Sequence, residues 1–167
     1  MKNSNITLSS QPNQHSLGDN YLKFQLNQQT AAVLSIKYTQ EAIIVPVESV
    51  TAMPNMPVCI LGLMNWRSRI IWTVDLPKMF NLECIDHRLR QYNVIVVRVE
   101  SQLLGLVVQE IKGTTKFTND EIRSPIGQVA SSLVPYLCGC IVQEEEIFLV
   151  LDAPSIINHS VLNVRGD

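Results

Sequence analysis

The sequence predicts a mainly β chain: two small barrels of short strands packed together, with one short helix near the C-terminus. Three observations carry this. Residues 21–26 alternate with period two, Tyr21, Lys23 and Gln25 on one side and Leu22, Phe24 and Leu26 on the other. Residues 93–99 form a valine-rich run suited to burial on both faces. The two halves of the chain also echo each other. Each holds a glycine-bearing strand, a polar turn and a return strand. One ends in Val74-Asp75-Leu76-Pro77, the other in Val150-Leu151-Asp152-Ala153-Pro154.

Taken in order, residues 1–19 are rich in Ser, Asn and Gln without periodicity and read as a disordered tail. Asn27-Gln28-Gln29 turns the first strand into a second over 31–36. Residues 43–45 are β-rich, and Pro46 interrupts them. Pro54-Asn55-Met56-Pro57 is a loop. Residues 60–64 and 70–74 are strands around a polar tip of Asn65, Arg67, Ser68 and Arg69. Pro77 closes that unit, because proline cannot donate to a ladder. The charged stretch 83–90 is the best boundary between the halves. Residues 92–100 and 103–108 form a second hairpin, whose Gly105 suggests a bulge or bend. Residues 112–117 are β-compatible, and 119–125 and 127–132 are loops. Residues 137–142 and 146–151 flank Gln143-Glu144-Glu145 as a last hairpin. Asp152 then caps a helix over 155–161.

Composition excludes several classes. Of 167 residues, 46% are hydrophobic and only 17% charged, enough to bury a core and too apolar for general disorder. The net charge of −2 leaves no basic excess for a phosphate backbone, so nucleic acid is not the expected partner. No apolar run approaches the ~18 residues of a membrane span. Residues 1–17 lack the apolar core of a signal peptide, so the expected location is the cytoplasm, without direct membrane insertion.

No catalytic set stands out. There is no phosphate loop, dinucleotide fingerprint or Gly-x-Ser-x-Gly elbow. His15, His87 and His159 are not flanked by a nucleophile. Cys59, Cys84, Cys138 and Cys140 lack metal-ligand spacing and read as small buried side chains, with Cys138 and Cys140 sharing a strand face. Asp75 and Asp152 could be a carboxylate pair, or could cap the turns that follow their strands. No metal, cofactor or catalytic residue is expected. The alternative to a binding protein is a β-barrel enzyme or small-ligand binder whose site the sequence does not display.

The stretch 57–82 carries the sharpest signal. Its turn either presents Arg67, beside the indole of Trp66, to a partner or merely solubilises a hairpin; spacing alone does not separate the two. Aromatic and arginine side chains are enriched at interface hot spots, and tryptophans are also common in cores. The string Gly62-Leu63-Met64-Asn65-Trp66-Arg67-Ser68, followed by Ile70-Ile71-Trp72-Thr73-Val74-Asp75-Leu76, resembles the signature of the CheW chemotaxis coupling proteins. That pattern is a glycine, two apolar residues, Asn, one residue, Arg-Gly, then a strand ending in Asp-Leu. The resemblance runs in order from Tyr21 to about Ile157. It departs at Ser68, where the family has glycine; a position needing φ > 0 strains serine. Gln40-Glu41 matches a further family stretch, whereas Thr39 and Ala42 depart from its apolar types, and Gln109 replaces a frequent Asp.

The resemblance implies two SH3-like five-stranded barrels within residues 20–160, the first over about 30–82 and the second over 91–152 with the opening strand shared, then a tail over 161–167. It implies a non-catalytic adaptor between the cytoplasmic tip of a methyl-accepting chemoreceptor and a CheA-like histidine kinase, recruited from the cytoplasm to membrane receptor arrays. The receptor residues it implies are Arg67, Asn65, Trp66, Thr39 and Glu41. The kinase residues are Met53, Met56 and Val58, around the proline-framed loop. Trp66 and Trp72 resemble the versions found in phototaxis and type IV pilus systems of photosynthetic bacteria.

Overall fold

The computed structural model describes residues 18–83 and 88–159. The expectations for the remaining residues of the two tails, and for Cys84, His15 and His87, lie outside the described residues. Ten strands follow one another: β1 (Asp19–Gln25), β2 (Ala31–Ser35), β3 (Thr39–Pro46), β4 (Ile60–Trp66), β5 (Arg69–Asp75), β6 (Gln91–Val99), β7 (Gln102–Val108), β8 (Glu110–Phe117), β9 (Leu137–Gln143) and β10 (Glu146–Leu151). Two short helices, α1 (Leu76–Met79) and α2 (Ala153–Ile157), follow β5 and β10. The mainly β reading therefore holds.

The strands form two five-stranded sheets, in the orders β8-β1-β2-β10-β9 and β3-β6-β7-β5-β4. Both sheets follow one plan. An antiparallel hairpin (β1–β2, or β6–β7) pairs its second strand in parallel with the last strand of another hairpin (β9–β10, or β4–β5). Its first strand pairs with β8 or β3. Each sheet is then closed at one point. Beyond β3, Thr51 exchanges two backbone bonds with Leu63 of β4, at 2.8 and 2.9 Å; beyond β8, Arg123 does the same with Cys140 of β9. Closure protects edges that would otherwise template foreign strands.

A glycine sits at each seam because nothing larger fits. A Cβ on Gly62 would stand 2.0 Å from the Thr51 carbonyl oxygen, and one on Gly139 would stand 2.5 Å from that of Arg123. Each hairpin carries a one-residue bulge just before its glycine, at Leu61 and at Cys138.

The sheet membership corrects the expected division of the chain. Residues 30–82 and 91–152 are not two barrels: β2 belongs with β8, β9 and β10, and β6 and β7 complete the sheet of β3, β4 and β5. The second sheet is contiguous in sequence and is inserted into the first. Sequence echoes mark the matching β4–β5 and β9–β10 hairpins but not which neighbours each hairpin recruits, since that is decided by non-local pairing.

Three apolar clusters follow from strand alternation. One fills the first barrel around Val33, Phe117, Ile141 and Phe148. Another fills the second around Met64, Trp66, Val94 and Val96. The largest lies between the sheets and draws on both, with Phe24, Leu34, Ile95, Leu106 and Leu149. The valine-rich β6 serves two of them: Val94 and Val96 point into the barrel, Ile95 and Val97 toward the other sheet. That is why the run is apolar throughout.

Smaller corrections have local causes. The last helix begins at Ala153, two residues earlier than expected, because Pro154 suits the first turn of a helix. Gly105 marks no bulge; the β6–β7 register runs unbroken through it, and a Cβ there would press Val94 at 3.2 Å. Cys138 and Cys140 do not share an environment, because the bulge leaves Cys138 exposed while Cys140 is fully buried.

Candidate functional site

The β4–β5 hairpin turns through two residues, Arg67 and Ser68, with φ of 49° and 64°. Both lie in the left-handed region, as a type I′ turn requires, and such turns match the twist of the flanking strands. The Ser68 backbone N–H donates to Asn65 Oδ1 at 3.2 Å, which fastens the tip. Serine therefore stands where the geometry favours glycine.

Trp66, the last residue of β4, is buried at 8% exposure in the second barrel's core. Its indole N–H donates to Glu41 Oε1 on β3 at 2.9 Å. Arg67 folds back over the same indole, its guanidinium carbon 4.8 Å from the ring, and its Nη2 lies 3.3 Å from Glu41 Oε1. Three expected receptor residues, Glu41, Trp66 and Arg67, thus meet at one barrel mouth, although 25 residues of chain separate Glu41 from Trp66. The ion pair itself is solvated, with the two side chains 65% and 38% exposed, so its own energy is small. Its effect is to hold the guanidinium over the ring rather than to stabilise the fold.

The other expected contacts divide. Asn65 is exposed but occupied with the turn. Thr39 donates its hydroxyl to the Ser35 carbonyl at 3.3 Å, closing the turn that leads into β3, and does not join the cluster. In the proline-framed loop, Val58 is 77% exposed and Met53 is also exposed. Met56 is half-buried against the core between the sheets, so it is a packing residue as well as a loop residue.

Both aspartates stand just ahead of a helix, but only Asp75 caps it through the backbone; Asp152 bonds a side chain instead. Asp75 Oδ1 accepts the Lys78 backbone N–H at 3.2 Å ahead of α1. Asp152 Oδ2 accepts the Ser155 hydroxyl at 2.8 Å ahead of α2. They belong to different sheets. Burial pushes the Asp75 carboxyl above its usual range, against the pull of the Lys78 N–H and ammonium. Burial likewise raises the Cys59 and Cys138 thiols, which keeps them protonated and weakly nucleophilic. Among the described residues, no three His, Cys, Asp or Glu side chains gather as a metal site, and no helix is long and apolar enough to cross a membrane.

Sequence reading misses two features here. One is the Glu41–Trp66 bond; an acid on an edge strand and a terminal tryptophan carry no mutual signal until the barrel closes. The other is a cleft of about 430 Å³ beside the tip, lined by Arg69, Ile70, Trp72 and Gln102 among others.

The described residues thus form two closed five-stranded barrels, with Arg67 held over Trp66 at the tip of one hairpin. The profile of the CheW-like domain matches residues 20–161, and the chain belongs to this family of non-catalytic scaffolds. It is 27% identical over 124 residues to the chemotaxis protein CheW of Treponema pallidum, covering 71% of this chain and 72% of that one. It is 31% identical over 83 residues to a probable CheW of Rhizobium etli, spanning 50% of this chain and 52% of the relative. To protein PilI of Pseudomonas aeruginosa it is 26% identical over 109 residues, or 65% and 60% of the two chains. The crystal structure of the scaffolding protein TtCheW from Thermoanaerobacter tengcongensis superposes with a TM-score of 0.71 at 21% identity, covering 81% of this chain and 90% of that one. That likeness bears on the fold.

Proposed function

We propose that this chain couples the cytoplasmic tip of a methyl-accepting chemoreceptor to a CheA-like histidine kinase, on the cytoplasmic side of a membrane receptor array. The observation that carries the reading is the Glu41–Trp66–Arg67 cluster. An arginine stacked on a buried indole and braced by a carboxylate has little freedom left to lose on binding. Its planar fork of donors suits a carboxylate or carbonyl partner in a way lysine does not reproduce. The kinase contact is assigned to the loop of Met53, Met56 and Val58, with Val58 its most exposed apolar side chain. β4 joins the two places. Its seven residues span about 20 Å at about 3.3 Å each, so both partners would grip one rigid strand. No bond is made or broken. The output is a coupling free energy, reciprocal between the two partners and typically ~1–3 kcal/mol. The pathway is a chemotaxis, phototaxis or pilus-motility one: the CheW relatives suit chemotaxis, and the similarity to PilI suits pilus motility, as Trp66 and Trp72 suit the phototaxis and pilus variety.

The test measures receptor and kinase binding side by side on folded variants. Arg67→Ala is expected to weaken receptor binding by about 2 kcal/mol and leave the kinase affinity unchanged. Val58→Glu is expected to do the reverse. Met56→Glu is a poor probe, since it would place a charge against the core. Retention of receptor affinity in Arg67→Ala refutes the assignment.

A further inference from the structure

Parallel pairing between β5 and β7 begins only at Trp72 with Leu104 and runs to Asp75 with Val107. Ahead of that stretch, residues 69–71 and 101–103 face each other without a ladder. The fork between them is the cleft of about 430 Å³, lined by Arg69, Ile70, Ile71, Trp72, Ser101, Gln102 and Leu103. Among the described residues its lining holds one cation, Arg69, and no carboxylate. Arg69 is exposed and makes no ion pair or side-chain hydrogen bond among the described residues. Ile70 is 64% exposed, unusual for a branched apolar residue in a strand. A single solvated isoleucine needs no explanation. Here Arg69 leaves β5 on the face it shares with Ile71, and Ile70 and Trp72 on the other, so a group entering the fork end-on meets a guanidinium on one side and apolar surface on the other.

The cleft is continuous with the Arg67 site. Arg69 is the cross-strand partner of Trp66, the residue on which Arg67 stacks, so the two guanidiniums flank one turn. They differ in state: Arg67 is braced by Glu41, whereas Arg69 has no carboxylate partner among the described residues.

We propose that this cleft is the second half of the receptor site and takes an acidic-apolar anchor of the receptor tip: a carboxylate on Arg69 and, beside it, a leucine or isoleucine side chain against Ile70 and Trp72. The single guanidinium of the lining selects the acid, and exposed Ile70 with half-buried Trp72 selects the apolar side chain. The inference rests on the receptor reading of Arg67 and specifies what lies beside it. In this arrangement Arg67 fixes the register of the partner, and the cleft distinguishes one receptor from another.

The experiment uses the full chain and the cytoplasmic fragment of the receptor it co-purifies with. Arg69→Glu and Ile70→Ser are each expected to weaken receptor binding at least tenfold, with unchanged thermal midpoint and unchanged kinase affinity. Trp72 provides a second readout: adding the receptor fragment should shift the tryptophan emission of the parent protein, and Trp72→Phe should lose most of that shift. Arg69→Lys should recover part of the affinity. Normal receptor binding by both variants overturns the proposal, and if Arg67→Ala still loses binding, the receptor reading of the tip survives alone. Loss of kinase rather than receptor binding also overturns it and gives the cleft to the kinase. So does loss of self-association by both variants with receptor binding unchanged, which would give the cleft to a second copy of this chain.

Discussion

The Glu41 carboxylate accepts the Trp66 indole N–H at 2.9 Å, linking the two edge strands of the second sheet, β3 and β4. The same oxygen lies 3.3 Å from Arg67. The two interactions separate by mutation. Glu41→Ala strands the N–H of a buried tryptophan and is expected to cost about 1–2 kcal/mol of stability. Glu41→Gln keeps an acceptor for the indole and removes only a solvated charge pair, so it should stay within about 0.5 kcal/mol of the parent. Urea denaturation followed by tryptophan emission measures both; equal losses would show that the charge, not the hydrogen bond, matters.

Ser68 holds a φ of 64° at the second position of the tip. A non-glycine residue in that region costs roughly 1–2 kcal/mol. Glycine relieves the strain but adds freedom to the unfolded chain, roughly 0.5–1 kcal/mol in the opposite direction. Ser68→Gly is therefore expected to raise the thermal midpoint modestly, by about 0.5–1 kcal/mol in stability. A lower midpoint would mean that the Ser68 side chain makes a contact that glycine forfeits.

Gly62 tolerates nothing larger. A Cβ would meet the Thr51 carbonyl oxygen at 2.0 Å, backbone against backbone, and the φ of 144° is itself unsuited to alanine. Gly62→Ala should break the seam and cost about 3 kcal/mol or more, seen as loss of soluble protein or of protection at the Thr51 and Leu63 amides. Gly127→Ala is the control. It shares a positive φ, 82°, but meets nothing within 4 Å, so only the conformational cost of about 1 kcal/mol remains.

Asp75 titrates above the usual aspartate range because burial disfavours its charge. A carboxyl whose folded pKa exceeds its unfolded one adds stability below the unfolded value, and that contribution disappears as pH rises through the folded value. At neutral pH the carboxylate is thus held at a cost offset by the Lys78 N–H. Carbon NMR titration should find its midpoint above those of the exposed aspartates, and Lys78→Met should move it higher. A midpoint at or below the ordinary value contradicts the burial argument.

Most strands were legible because local rules govern them. Alternation places β1, the valine run marks β6, and polar turns bracket the β4–β5 and β9–β10 hairpins. Asp75 caps as residue type and position suggest, whereas Asp152 holds the cap position and spends its carboxylate on the Ser155 hydroxyl. Sheet membership was not legible. Ala31 pairs in parallel with Phe148, and no local pattern in either strand encodes the other. At the candidate site, Arg67 could be singled out from its turn and its family signature. Its brace could not, because Glu41 and Trp66 meet only when β3 and β4 become the two lips of one barrel. Met56 reads as a loop residue in sequence, yet its side chain packs on the central core.

The insertion of one barrel into the other has a consequence for how the protein is made. On the ribosome the chain emerges N-terminus first. All five strands of the second sheet are available once Val108 has left the exit tunnel, and that barrel can close at once. The β1–β2 hairpin appears earlier but has no sheet to join until β8, β9 and β10 follow. Through that interval it carries Phe24, Leu34 and Val33 without their final cover. The half-built nascent chain therefore displays a finished barrel and an orphan hairpin, and that hairpin is where chaperone capture or mispairing with a neighbouring chain would begin.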